Sequence, residues 1–359
     1  MERLVPEELL RSMVSGLLLD AGADRDCRVI LSDLIVAAQI EGPASHGLAM
    51  LPRYLKALKS GWSNGAAEPT LHHMSLGRLH VNADNGYCQI GLARARKHLL
   101  KATEACGVAV LTVANAHHIG ALRFDTAPFA RAGYIAMAFV NSRAWVVPDG
   151  GTTPIFGTNP MSFACPRGAR EPIVWDQASS VRAISDIRLV ASQGGALREP
   201  SGLDENGEPT CVAREIVETG KLIPFGRHKG NAICLMVELL SAALGGGSMS
   251  FEVEEMEAAG ASTIRPGYCM VLISPDTHDH EAFADRVDRL CRAIDQEGGG
   301  YIPGDRRFKR IEDAKARGVR VDPDLFAMLE ARSGRNGFEN GHDDMATRQE
   351  DCDDCRSRD

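Results

Sequence analysis

Val108-Ala109-Val110-Leu111-Thr112-Val113 is a continuous apolar run of strand length. With no polar residue at every second position, it reads as a strand covered on both faces. Outward from it, Phe124 to Arg131 reads as a helix stopped at Gly133. Ile135-Ala136-Met137-Ala138-Phe139-Val140 is a second such strand and Pro172-Ile173-Val174-Trp175 a third. Tyr268 to Ile273 is a further strand and His280 to Gln296 a helix. Buried strands alternating with helices predict an α/β domain. Upstream, Leu9, Leu10, Met13, Leu17 and Leu18 make an apolar stripe that predicts a helix over Pro6–Ala23. Asp26–Glu41 and Met50–Lys59 read the same way. Leu79-His80-Val81 is a short strand before the turn Asp84-Asn85-Gly86, and Gln89–Ala105 is a helix stopped by Gly107. Downstream, Ser185–Ser192 is a short segment and Gln193–Glu215 a polar, turn-rich surface excursion. Gly230–Leu244 is a strongly apolar helix closed by three glycines.

The chain has 359 residues, enough for two domains, with 44% apolar and 25% charged residues and a net charge of −8. That balance offers no basic footprint for nucleic acid. No apolar run approaches the ~20 residues of a membrane span. The first residues carry early acids and no signal-peptide core. The ten cysteines are scattered through apolar stretches and read as reduced core residues of a cytoplasmic protein. Cys352 and Cys355 form a lone C-x-x-C in a tail that, from Ser333, is nearly without apolar residues and is expected to be disordered.

Several polar stretches could carry chemistry. Glu41-Gly42-Pro43-Ala44-Ser45-His46-Gly47 breaks an apolar helical run and sets Ser45 beside His46 at a new helix start. Ser45 suits a helix cap, and a histidine titrating near pH ~6.5 suits acid–base work. His117-His118 follows the strand from Val108, where open α/β sheets place ligands; one imidazole would face a pocket and the other pack against its rim. No metal-binding spacing accompanies them. Asn141-Ser142, Gly157-Thr158-Asn159-Pro160 and Asp176 with Ser179-Ser180 are polar strand ends or turns across which a site fits, and Asp186 could orient and charge an imidazole. Arg227-His228-Lys229-Gly230 precedes the apolar helix, and positive side chains at a helix start suit a phosphate. Gly304-Asp305-Arg306-Arg307 is a second basic turn. No G-x-G-x-x-G follows a strand, so a dinucleotide would not bind in a standard Rossmann turn.

Taken together, these blocks resemble the malate/L-lactate dehydrogenase family of the non-Rossmann type, from about Val5 to Val321. They are Ser45-His46-Gly47 with Leu51-Pro52-Arg53-Tyr54, His117-His118, Phe156-Gly157-Thr158-Asn159-Pro160, Asp176 with Ser179-Ser180, Pro224-Phe225-Gly226 with His228-Lys229-Gly230, and Pro303-Gly304 with Arg306-Arg307. Within the family, the chain is similar to Δ1-piperideine-2-carboxylate/Δ1-pyrroline-2-carboxylate reductases in His117 to Asp125, Val140-Asn141-Ser142 and Ser250-Phe251-Glu252.

The resemblance implies a two-domain α/β subunit, a non-Rossmann nicotinamide-binding domain plus a helical domain. Residues 1–110 would form the helical, substrate-side and dimerisation part, joined by 270–332. Residues 111–270 would bind the nicotinamide, and 333–359 would be the tail. It also implies a homodimer that uses NADPH or NADH and takes a cyclic 2-imino acid to L-proline or L-pipecolate. Alternatives are dehydrogenation of an open-chain 2-hydroxy acid and an inactive nicotinamide-binding homologue. Ser45, His46 and Asp186 would be catalytic. Arg53, His117, His118, Arg123, Thr158 and Asn159 would face the substrate. Asn141, Asp176, Ser179, Ser180, His228, Lys229, Gly230, Gly304, Arg306 and Arg307 would line the cofactor. The family's usual Arg three residues after Gly47 would leave the substrate carboxylate's partner clear, but Met50 stands in that stretch, with Arg53, Arg123, Arg143 and Arg182 as candidates to replace it.

Overall fold

The computed structural model describes residues 3–42, 46–117, 120–253, 263–275, 282–298 and 300–333. Ser45, His118 and the tail beyond Ser333 lie outside the described residues, as do His280 and Glu281 at the start of one expected helix.

The chain begins with β1 (Arg3–Val5), α1 (Glu7–Asp20), α2 (Arg25–Glu41) and, after a tight turn at Leu48–Met50, α3 (Leu51–Lys59). Asp24 caps α2 by accepting the Cys27 amide at 2.8 Å. Next come β2 (Thr70–Ser75), β3 (Arg78–Tyr87), α4 (Cys88–Cys106), β4 (Val108–His117), α5 (Arg123–Arg131), β5 (Ile135–Val140), β6 (Met161–Arg167) and β7 (Arg170–Gln177). After α6 (Ile184–Ser192) the chain makes a small ribbon of β8 (Gly202–Leu203) and β9 (Pro209–Thr210), then α7 (Ala213–Thr219) and α8 (His228–Glu238). β10 (Tyr268–Ile273), α9 (Phe283–Gln296), α10 (Asp305–Arg317), β11 (Val319–Val321) and α11 (Pro323–Ser333) complete it.

Seven strands form one sheet in the order β2-β3-β4-β10-β5-β6-β7. β3 and β4 run parallel, whereas β10 is inserted antiparallel between β4 and β5. The central strands are apolar throughout because helices cover both faces. Leu111, Val113, Ala136, Ala138, Met270 and Leu272 share a core with Leu99 of α4 and Phe129 of α5. Val110, Phe139, Cys269 and Val271 share another with Ile233 and Val237 of α8. β2 and β6 were not anticipated. β2 is an exposed edge strand with no apolar alternation, and β6 contains Pro166, near which its ladder is irregular.

A separate core lies among α1, α2 and α3 around Leu10, Leu18, Leu31, Ile35 and Leu51. The C-terminal segment closes it. Val5 of β1 pairs with Val319 of β11, and α11 adds Phe326 and Leu329. Two expectations about domain boundaries need correction. A boundary at residue 110 falls inside β4, since β2 and β3 already belong to the large sheet. Within 270–332, β10 also belongs to that sheet, and the segment from β11 onward joins the helical core.

The polar excursion after Ser192 folds back too, burying Ser201 and Leu203. The basic turn at Gly304 is the start of a helix. Gly304 lies at φ 107° ahead of α10, whose few large apolar residues, Phe308 and Ile311, stand among charged ones. The eight described cysteines are free, and burial pushes thiols such as Cys27 up to about 12. No described helix is long and apolar enough to cross a membrane.

Candidate active site

Thr158, Asn159, Ser179 and Ser180 converge where β5, β7 and the start of α8 meet. The Ser179 amide donates to the Thr158 carbonyl at 2.7 Å, and its hydroxyl donates to the Asn159 carbonyl at 2.7 Å. The Phe225 amide returns to the Ser179 carbonyl at 3.1 Å, and the Ser180 hydroxyl is taken by the Arg182 carbonyl at 2.7 Å. Thr158 meets the Ser142 hydroxyl at 3.2 Å.

Beneath them lies Glu238, a buried carboxylate that the apolar reading of its helix overlooked. It accepts from Asn141 Nδ2 at 3.3 Å, Asn159 Nδ2 at 2.7 Å, the Ser250 amide at 2.5 Å and the Ser250 hydroxyl at 2.8 Å. A buried carboxylate needs such donors. Asn141 and Asn159 are therefore buried framework, and the lone acid inside an apolar helix is the sequence signal by which Glu238 could have been found. A π-helical turn at Leu239–Ala243 follows Glu238 directly.

The start of α8 is the exposed part of this cluster. His228 and Lys229 are exposed, and no side chain caps the helix. Gly230 is required there: a Cβ would come within 2.1 Å of the Phe225 carbonyl oxygen. Arg227 is held to Asp149 at 3.2 Å. An uncapped helix start carrying two exposed basic residues fits the phosphates of a nicotinamide dinucleotide.

His117 sits elsewhere, fully buried at the end of β4. Asn85 Nδ2 donates to the Trp62 carbonyl at 3.0 Å, which turns Asn85 Oδ1 toward the imidazole. His117 Nε2 therefore donates to Asn85 Oδ1 at 3.1 Å, and Nδ1 accepts from the Thr263 hydroxyl at 2.8 Å. The rings of Trp62 and Tyr87 lie 6.0 and 5.9 Å away. Burial, then the nearby Arg265 charge, lowers the His117 pKa to about 4. Neutral and enclosed, His117 has no face for a substrate.

A third group joins the helical part to the sheet. Arg123, at the start of α5, gives Nε to Glu41 Oε2 at 2.5 Å and Nη1 to Asp176 Oδ2 at 3.1 Å. Arg307 of α10 gives Nη2 to the same carboxylate at 3.4 Å. Burial works against the Arg123 charge, but Asp176 and Glu41 outweigh it and its pKa ends above the ordinary value. Arg123 is thus engaged by protein carboxylates rather than open to a substrate, and Asp176 and Arg307 answer each other. Beside them is a cavity of about 490 Å³ lined by Glu41, Arg123, Phe124, Val174, Arg307 and Phe308.

His46 is exposed next to Gly47, and Arg53 is exposed on α3. Asp186 is exposed in the first turn of α6, whose Ile187 is anchored in a core with Val146, Leu222 and Cys234. Arg306 is exposed over the Tyr301 ring at 5.1 Å. Arg143 lies over the Trp145 ring at 5.1 Å. The buried Arg182 Nε has no hydrogen-bond partner. Among the described residues no group of three or more His, Cys, Asp or Glu is placed to hold a metal ion.

The sequence profile of the malate/L-lactate dehydrogenase family matches residues 5–330. The chain is 39% identical to a Δ1-pyrroline-2-carboxylate/Δ1-piperideine-2-carboxylate reductase of Pseudomonas putida, over 88% of this chain and 93% of that one. It is 40% identical to the reductase of the same name from Pseudomonas syringae pv. tomato, over 83% and 87%. The crystal structure of Δ1-piperideine-2-carboxylate reductase from Pseudomonas syringae superposes with a TM-score of 0.88 at 37% identity, covering 92% of this chain and 99% of that one. This chain is an oxidoreductase, and it belongs to the malate/L-lactate dehydrogenase family.

Proposed function

We propose that the protein reduces a cyclic 2-imino acid, Δ1-pyrroline-2-carboxylate or Δ1-piperideine-2-carboxylate, to the corresponding cyclic amino acid with NADPH or NADH. The observation that carries this reading is the near-end-to-end match, at 39–40% identity, to reductases bearing those names. NADPH as the preferred donor, a homodimeric assembly and a cytoplasmic location belong to the same reading.

The nicotinamide would supply the hydride to the ring carbon of the C=N bond. His46 delivers the proton at the ring nitrogen from an imidazole nitrogen, with Ser45 and Asp186 orienting it. An iminium accepts hydride more readily than a neutral imine, so an acid there gives roughly 10²–10⁴-fold. His46 suits this work because it is exposed, whereas the enclosed, neutral His117 does not. His228, Lys229 and Gly230 would hold the phosphates. For the substrate carboxylate, Arg182 has a buried Nε without a hydrogen-bond partner to give. Arg53 and Thr158 are further candidates to meet the substrate.

The test is oxidation of NADPH, and separately NADH, with Δ1-pyrroline-2-carboxylate, for the wild type and His46→Ala. The expected result is a clear wild-type rate that falls about 10²–10⁴-fold in the variant with cofactor affinity nearly unchanged. Turnover of pyruvate or oxaloacetate without turnover of the imine would replace this reading with a 2-hydroxy acid dehydrogenase. Loss of NADPH binding in His46→Ala would remove the assigned role.

A further inference from the structure

We propose that Glu41, Arg123, Asp176 and Arg307 form a positioning chain that sets where His46 stands against the sheet; this rests on reading His46 as the proton donor. α2 ends at Glu41, five residues before His46. A chain spans at most ~3.6 Å per residue, so where Glu41 sits bounds where His46 can be. Glu41 is held at two points. Its carboxylate takes Arg123 Nε at 2.5 Å, and its carbonyl takes Arg310 Nη1 at 2.8 Å.

The other end of the loop is fastened to α2 itself. The Leu48 amide donates to Gln39 Oε1 at 3.3 Å, and Gly47 lies so close that a Cβ would stand 3.0 Å from Gln39 Cα. Gln39 therefore holds Gly47 and Leu48, and Glu41 is where the end of α2 is tied to the sheet. From Glu41 the chain of charges runs through Arg123 to Asp176 on β7, and on to Arg307, whose Nη1 also donates to the Val174 carbonyl at 3.3 Å.

The charges alternate, and the first three side chains are nearly enclosed, with 12%, 8% and 13% of their surface exposed. Such a pair is not a screened surface contact, and removing one member strands its neighbour. Arg123 addresses two carboxylates through two separate nitrogens of one rigid plane, Nε and Nη1, a spacing that the single nitrogen of a lysine ammonium does not reproduce. The apolar face of α2 already packs in its own core. What the polar chain adds is the setting of that core's edge, and of His46, relative to β7.

The experiment uses the full-length protein with Glu41→Gln and, separately, Arg123→Lys. Glu41→Gln leaves Arg123 paired with Asp176, so the variant is expected to fold. Its kcat with Δ1-pyrroline-2-carboxylate should fall about 10–100-fold, as a displacement of ~1 Å at a reacting group does, while the KM for NADPH stays within about twofold. Arg123→Lys, which keeps the charge but not the fork, should show the same split. Amide hydrogen exchange in the peptide over residues 46–55 should quicken about tenfold or more while that of α4 is unchanged. Wild-type kcat and exchange in both variants would overturn the proposal, as would kcat, KM and melting temperature all falling together. If the wild type turns over no imine, the functional reading fails, and the exchange measurement still decides the positioning chain.

Discussion

His117 shows how a single residue's surroundings decide its chemistry. Its folded-state pKa of about 4 lies below the ~6.5 of an exposed histidine, so between those values only the unfolded chain binds the proton. Its contribution to stability is fully present above pH ~6.5 and is lost as pH falls toward 4, an effect of about 3 kcal/mol. Denaturant unfolding at pH 7 and pH 4 should therefore show the wild type losing about 3 kcal/mol more than His117→Gln. Parallel losses would mean that the imidazole is not held neutral. The sequence marked His117 and His118 as a pair with one packed member, but it held no sign of which. The enclosure of His117 comes from Asn85, Trp62 and Thr263, which are distant in the chain and adjacent only after folding.

Elements differ in how openly they announce themselves. α1, α2, α4 and β4 were legible because each carries its own period, apolar residues at helical spacing or a full apolar run. β6 and α10 were not, since one holds a proline and the other is mostly charged. α8 reads as an apolar helix, and its exposed basic end is the first turn. Gly230 lets that turn lie against Phe225. Gly230→Ala forces a carbon into the Phe225 carbonyl, and overpacking of this kind costs about 1–3 kcal/mol. A lower melting temperature and a raised KM for NADPH are expected, with a smaller effect on kcat at saturating cofactor. An unchanged KM would take this helix start out of the cofactor site.

At the scale of the whole molecule, the helical core is closed by the far end of the chain. Val319, Val321, Phe326 and Leu329 are all buried in it. At about 1.5–3 kcal/mol each, they contribute as much as the ~5–15 kcal/mol by which a domain is stable. Ending the chain at Gly318 should therefore leave the N-terminal helices unfolded by circular dichroism, while ending it at Ser333 should leave the melting temperature unchanged. A folded protein from the shorter chain would show that β1 and α1 do not need this closure. By itself the sequence determined what is local: the strands and helices with their own periodicity, the absence of a Rossmann turn, and the ordered blocks that mark the family. Only the tertiary structure decided which polar groups answer each other. Arg123 reads from the sequence as a substrate clamp, yet it meets Glu41, 82 residues away, and Asp176, 53 residues away. Charge and hydrogen-bond partners are set by distance in space, which no local pattern records.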